Sequence, residues 1–207
     1  MQDRIIMSGI GGQGIIVGTK LIGITATGLG QYALHYAEYG GEMRGTRCEC
    51  TLTVADQPVT STPQVSNCEA AIIMHPESFD RLVQKLLPGG LALVNSSLID
   101  VSKLALRKDV EWLLVPATDL GTSLGHAMVS TMVAIGAFAE ETQLVPAAAI
   151  ADHLSALIPP YRHQLLEMDA KGIEMGANCV ATGEQVSRIP ATEAPYHFAR
   201  TGAVASG

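Results

Sequence analysis

Aromatic side chains are scarce, at 4% of 207 residues with a single Trp. The 47% hydrophobic content is carried instead by Ala, Ile, Leu and Val, which suit buried parallel strands and close helix packing, so an α/β layered fold is favoured over a β-sandwich. Basic residues are also in short supply. Thirteen Lys and Arg stand against twenty Asp and Glu, a net charge of −7, and this leaves no long-range field to attract nucleic-acid phosphates. Nucleic acid is not an expected partner.

Long hydrophobic runs are missing. The best candidate, Ala127 to Ala139, is interrupted by Ser130 and Thr131 and falls short of the roughly 20 residues that cross a bilayer. Met1 to Met7 is too short an apolar stretch for a secretory signal. The sequence therefore predicts a soluble, cytoplasmic protein with no membrane contact. The four cysteines, Cys48, Cys50, Cys68 and Cys179, form neither C-x-x-C nor a ferredoxin-like run, so no iron–sulfur cluster is expected in this chain. Cys48 and Cys50 share one face of a strand-like segment and read as small buried apolar residues. Histidines 35, 75, 126, 153, 163 and 197 show no metal-ligand spacing. No G-x-S-x-G elbow surrounds Ser96 and Ser97, which disfavours a hydrolase triad. No residue is identified as an acid, base, nucleophile or metal ligand.

What is present begins at Arg4. R-I-I-M-S reads as a strand, and it runs through G-I-G-G-Q-G into the helical I-I-V-G-T-K-L-I-G-I-T-A. Gly9, Gly11 and Gly14 satisfy G-x-G-x-x-G between a first strand and a first helix. In that setting one glycine permits the turn, one admits a pyrophosphate, and one lets helix and strand pack closely. The amides at the helix start then face an anion with the positive end of the dipole. The competing reading is that these glycines only let helix and sheet, or a neighbouring subunit, approach each other.

A self-sufficient dinucleotide enzyme would need a ribose-binding carboxylate some 20 positions further on, at a strand end. Glu38 is the only carboxylate near that place, and the pattern puts it in a loop spanning 38 to 46, beyond a strand at 31 to 36. An independent nucleotide-dependent oxidoreductase is disfavoured. Within the same loop Arg44 could pair bidentately with a phosphate or carboxylate, or remain a solvated surface charge.

Further along, 47 to 55 alternates polar and apolar residues and predicts a strand exposed on one face. Residues 70 to 74 and 91 to 95 read as buried strands, joined by a helix over 77 to 87. A strand over 110 to 115 is followed by a loop to Gly125. Three helices are then expected, over 126 to 140, 146 to 157 and 161 to 175. Asn95, Ser96 and Ser97 would lie at a strand's carboxyl end, where ligands of open α/β sheets bind, and Thr118 and Asp119 occupy the same kind of position. The architecture expected is α/β, a Rossmann-like mostly parallel sheet flanked by helices, with C-terminal helices. Residues 1–178 form one domain, and 179–207 read as an extended tail without a periodic apolar face.

Five stretches together carry a resemblance: G-I-G-G-Q-G at 9 to 14, Y-G-G-E-M-R-G-T at 39 to 46, L-P-G-G-L-A-L-V-N-S-S at 87 to 97, V-P-A-T at 115 to 118 and M-V-A-I-G-A-F at 132 to 138. Over about residues 3 to 176 the chain resembles the γ subunit, or γ domain, of 2-oxoacid:ferredoxin (acceptor) oxidoreductases. It departs from the usual family pattern at Thr46, in place of glycine, and at Thr131, in place of the asparagine that introduces the last of these helices. The resemblance implies oxidative decarboxylation of a 2-oxoacid, pyruvate or 2-oxoglutarate foremost, to an acyl-CoA. It implies thiamine diphosphate, Mg and [4Fe-4S] clusters in α- and β-type partners and a ferredoxin-like subunit. It also implies a coenzyme A role for Gly9, Gly11, Gly12, Gln13 and Gly14, with Arg44 and Ser96. The alternative within that family is a structural assembly module with no ligand of its own.

Overall fold

Alternate residues of the first strand, β1 (Gln2–Ile10), enter two different cores, Ile5 and Met7 on one face and Ile6 on the other. A strand apolar on both sides belongs in the middle of a covered sheet, and that is where it lies. The computed structural model describes residues 2–39, 46–60, 62–158 and 160–198. After β1 come α1 (Ile15–Gly28), β2 (Tyr32–Tyr39), β3 (Arg47–Ala55), β4 (Cys68–Ile73), α2 (Phe79–Lys85), β5 (Leu86–Asn95), β6 (Glu111–Val115), α3 (Ala117–Ser123), α4 (Ser130–Thr142), α5 (Ala147–Asp152), α6 (Leu154–Leu157), α7 (Leu166–Thr182) and β7 (Ser187–Ile189).

The sheet order is β2-β3-β1-β4-β5-β6-β7. Its centre, β1, β4, β5 and β6, is parallel, while the β2–β3 hairpin and β7 flank it antiparallel. One face carries α1 and the α4–α7 pair over the larger core, which includes Leu21, Ile22, Ile135 and Phe138. The other carries α2, whose Phe79, Leu82 and Val83 meet Ile6, Ile73 and Trp112. The Rossmann-like α/β expectation holds.

Several details differ from the sequence reading. β3 alternates as expected, but every residue after Arg47 is buried, because β3 sits between β2 and β1 and its polar face is covered too. Glu49 on that face is ion-paired with both Arg81 and Lys85 of α2. Glu38 lies within β2, not in a loop. The segment expected to be a loop after β6 is α3, whose first amides are capped by side chains some 22 residues upstream. Asn95 Oδ1 accepts the Thr118 amide (3.3 Å), and Ser97 Oγ accepts that of Asp119 (3.0 Å). Local periodicity cannot register a cap supplied from another strand.

The boundary drawn at Asn178 falls inside α7, which continues to Thr182 before a left-handed Gly183 stops it. Beyond it the chain lies on its own sheet. β7 pairs with β6, Trp112 opposite Ile189. Phe198 is buried in the larger core, and the His197 Nε2 is 2.7 Å from Asp3 Oδ1. The His197 amide donates to the Gly89 carbonyl at 2.7 Å. Gly89 has φ +77, and a Cβ there would collide with the Pro195 carbonyl oxygen. Gly89→Ala is therefore expected to dislodge the segment around Pro195 and to cost about 2 kcal/mol, from left-handed strain plus overpacking. Limited proteolysis after residue 186 should accelerate; an unchanged digestion rate and melting temperature would contradict the contact.

Candidate functional site

The first strand ends at Ile10 and α1 starts at Ile15, so the G-I-G-G-Q-G turn crosses the carboxyl edge of the parallel centre. Its shape is maintained from within. The Gln13 side chain folds back so that Oε1 accepts the Ile10 amide at 2.8 Å, and the Gln13 amide donates to the Ile10 carbonyl at 3.1 Å. Gly9 has no side chain because Gln13 Oε1, Ile15 Cδ1 and Met74 Cβ occupy the space where one would stand. The Gly11 amide donates to the Thr46 carbonyl at 2.8 Å, which ties the turn to the start of β3. From the other side Thr131 Oγ1 donates to the Gln13 carbonyl at 2.5 Å. Thr131 is fully buried, so the departure at this position gives the turn a hydroxyl clamp.

Gly12 and Gly14 differ from their neighbours. Gly12 is exposed at φ +102, and a Cβ built there meets no atom of the described residues within 4 Å. Gly14 is the N-cap of α1, left-handed at φ 84 and without a side-chain cap. The helix start thus presents bare backbone to the crevice. Close packing of helix on its neighbour, expected of the third glycine, falls instead to Gly18, where a Cβ would stand 2.7 Å from Thr131 Cγ2.

The other expected residues distribute unevenly. Ser96, half-buried, follows β5. Its strand is two places from β1, roughly 10 Å away across the sheet, and on the same carboxyl edge as the turn. Its amide donates to the Val115 carbonyl at 2.9 Å. Asn95 is consumed structurally, bonding Thr118 Oγ1 at 2.9 Å. Arg44 lies outside the described residues. Glu38 accepts from Gln64 Nε2 at 2.5 Å, on an edge strand separated from β1 by β3, so it is not at a ribose-binding strand end. Cys48 and Cys50 are buried on one face of β3 and all four cysteines are free; contact between the two thiols lowers Cys48 and, with burial, raises Cys50. No group of three or more metal-ligating side chains occurs among the described residues.

The residues that sequence reasoning missed are those whose role depends on a distant partner. Thr131 reaches the turn from 118 positions away. Ser8, near the end of β1, bonds Ser78 Oγ at 2.7 Å and donates to the Cys48 carbonyl, joining β1 to β3 and to the turn that follows β4. Periodicity carries no trace of either.

Fold and turn together define an open α/β protein with a glycine-rich first turn at the carboxyl edge of a parallel sheet, the layout of phosphate-ligand binders. The chain belongs to the pyruvate ferredoxin/flavodoxin oxidoreductase family, whose profile matches residues 4–179. It is 26% identical over 165 residues to the 2-oxoglutarate synthase subunit KorC of Methanothermobacter marburgensis, covering 77% of this chain and 88% of that one. The crystal structure of a keto/oxoacid ferredoxin oxidoreductase γ subunit from Geobacter sulfurreducens superposes with a TM-score of 0.73 at 25% identity, covering 87% of this chain and 99% of that one. A 2-oxoglutarate:ferredoxin oxidoreductase from Magnetococcus marinus, solved with 2-oxoglutarate, coenzyme A and succinyl-CoA, shares the fold at a TM-score of 0.80 and 16% identity. That match covers 96% of this chain and 33% of the longer one.

Proposed function

We propose that this chain is the γ subunit of a multi-subunit 2-oxoacid:ferredoxin (acceptor) oxidoreductase, acting with α- and β-type subunits and a ferredoxin-like subunit in the cytoplasm. Its 2-oxoacid is 2-oxoglutarate or pyruvate. Thiamine diphosphate, Mg and [4Fe-4S] clusters belong to the partners, and this chain's part is to receive the phosphorylated end of coenzyme A, with Arg44 and Ser96 as further contacts. Coenzyme A supplies the thiol that takes up the acyl group. The chain itself binds and orients.

The observation that carries the reading is the exposed Gly12, where a built Cβ has no atom of the described residues within 4 Å, next to the start of α1, whose N-cap Gly14 has no side-chain cap. Main-chain N–H groups at a helix start favour a phosphate without any charged side chain. The residues around the turn fit such a group on one side only, since the Gly11 and Gln13 amides already have partners inside the chain. That same self-bonding favours the second reading, an assembly module whose turn is purely structural.

Hydrogen exchange of the purified complex separates the two. Addition of coenzyme A should slow exchange at residues 9–14, and Gly12→Ala should weaken coenzyme A binding about tenfold, close to 1.4 kcal/mol. The variant places a methyl group and a strained φ where the ligand approaches. Unchanged exchange on saturation, with unchanged affinity in the variant, would establish the structural module instead.

A further inference from the structure

An apolar cavity adjoins the glycine-rich turn. It encloses about 60 Å³ and is lined by Gly14 and Val17 at the start of α1, Val129 and Met132 at the start of α4, Leu157 at the end of α6 and Met168 of α7. Val129 and Met132 belong to the larger core, and Val17, Leu157 and Met168 pack against it from the rim. Gly14 is both the N-cap of α1 and part of the cavity wall. A phosphate at the helix start therefore has this cavity within reach of whatever is bonded to it.

The walls decide which group that is. Coenzyme A carries two different substituents on its pyrophosphate. One is a phosphorylated ribose with its adenine. The other is the uncharged pantetheine arm, whose first branch point, one methylene beyond the phosphate oxygen, is a carbon bearing two methyl groups. A phosphorylated ribose in the cavity would exchange its water for thioether and aliphatic walls, at a large desolvation cost. The ionisable residues on the wall do not offset that cost: Asp169, 9% exposed, is acidic, and His126 spends Nδ1 accepting the Met128 amide at 3.1 Å. Adenine is also too large, because the 60 Å³ here is less than half of the roughly 150 Å³ of an apolar cavity that takes benzene. A branched alkyl group is of the right size, and the unbranched side chains of Met132 and Met168 adapt to its outline.

We infer that this cavity receives the dimethyl carbon of the pantoyl unit of coenzyme A, an inference that rests on the coenzyme A reading above. The turn then holds the pyrophosphate, and the cavity sets the direction in which the thiol-bearing arm leaves it.

Calorimetric titration of the assembled complex tests this with three ligands: coenzyme A, an analogue with hydrogens in place of the two pantoyl methyls, and 3′-phospho-ADP, which keeps the phosphates and lacks the arm. Wild type should bind the analogue about tenfold more weakly than coenzyme A, the effect of burying two methyl groups. Val17→Phe, which fills the cavity, should bind coenzyme A and the analogue alike and leave 3′-phospho-ADP affinity unchanged. An analogue as tight as coenzyme A in wild type, or a tenfold difference that survives in Val17→Phe, would overturn the assignment. Hydrogen exchange on the wild-type complex decides the matter even if the variant does not assemble. Coenzyme A should slow exchange at residues 9–14 and 126–130, and 3′-phospho-ADP at 9–14 alone. Slowing confined to 9–14 with both ligands removes the cavity assignment and leaves the coenzyme A reading, whereas no slowing at 9–14 with either removes both.

Discussion

Gly176→Leu should lower the melting temperature by about 6 to 12 °C, because the two principal C-terminal helices have no room for a side chain between them. A Cβ at Gly176 would fall on the Val133 carbonyl, and one at Gly136 on the Ile173 carbonyl, so α4 and α7 are in backbone contact from both sides. Gly172 continues the row against Val129. A leucine cannot be absorbed by rotamer changes when the obstacle is main chain, and the helices must separate. Overpacking of this kind costs about 3 kcal/mol or more, and at this chain length each kcal/mol moves the midpoint by about 2 to 4 °C. The separation would also displace Thr131, at the start of α4, from the Gln13 carbonyl. A thermal melt that matched wild type would show that α4 and α7 are not in backbone contact.

The second large effect is expected at Glu49. Its carboxylate is 5% exposed and ion-paired with Arg81 and Lys85, which are 30% and 26% exposed. Burial alone raises its pKa, but hydrogen bonds and charge attraction from Arg81 and Lys85 outweigh that penalty and hold it below the ordinary carboxylate value. Removing one partner of a buried pair leaves uncompensated charge, with a cost near 3 kcal/mol at the lower end of the usual range because both cations keep some water.

Because the folded-state pKa is depressed, the stabilisation is present above the unfolded value, about 4.3. It is lost as pH falls through the folded value. Glu49→Gln should therefore melt below wild type at pH 6 to 8, and the gap should narrow as pH falls through the folded value. Melting curves across that interval check it; a gap that stayed constant down to low pH would mean that the charge of Glu49 is not what stabilises the fold.

Legibility in the sequence followed the range of the interactions. The strand, turn and helix from Arg4 to Ala26 were readable because each element is specified by its own residues: apolar β1, glycines, then a helical run. The strand–helix–strand unit around Leu82 was readable for the same reason. α3 was not, since its amides are capped by Asn95 and Ser97. The tail after Asn178 read only as extended, because it has no periodic apolar face, yet Phe198 reaches the main core and β7 closes one sheet edge. Those contacts repay ordering only once the sheet exists to receive them.

The candidate site divides along the same line. Composition and local pattern determined that this is an α/β chain with a glycine turn after its first strand, and five matched stretches carried its resemblance to the oxidoreductase family. They also determined that the chain has no C-x-x-C or ferredoxin-like cysteine run. Only the tertiary structure decided which glycines serve packing and which do not among the described residues: Gly9 makes room for Gln13, Gly18 for Thr131, and a Cβ on Gly12 would meet no described atom within 4 Å. A glycine states what backbone is allowed, and the side chains that fill or leave empty the space beside it come from strands and helices tens of residues away, so pattern alone cannot assign its use.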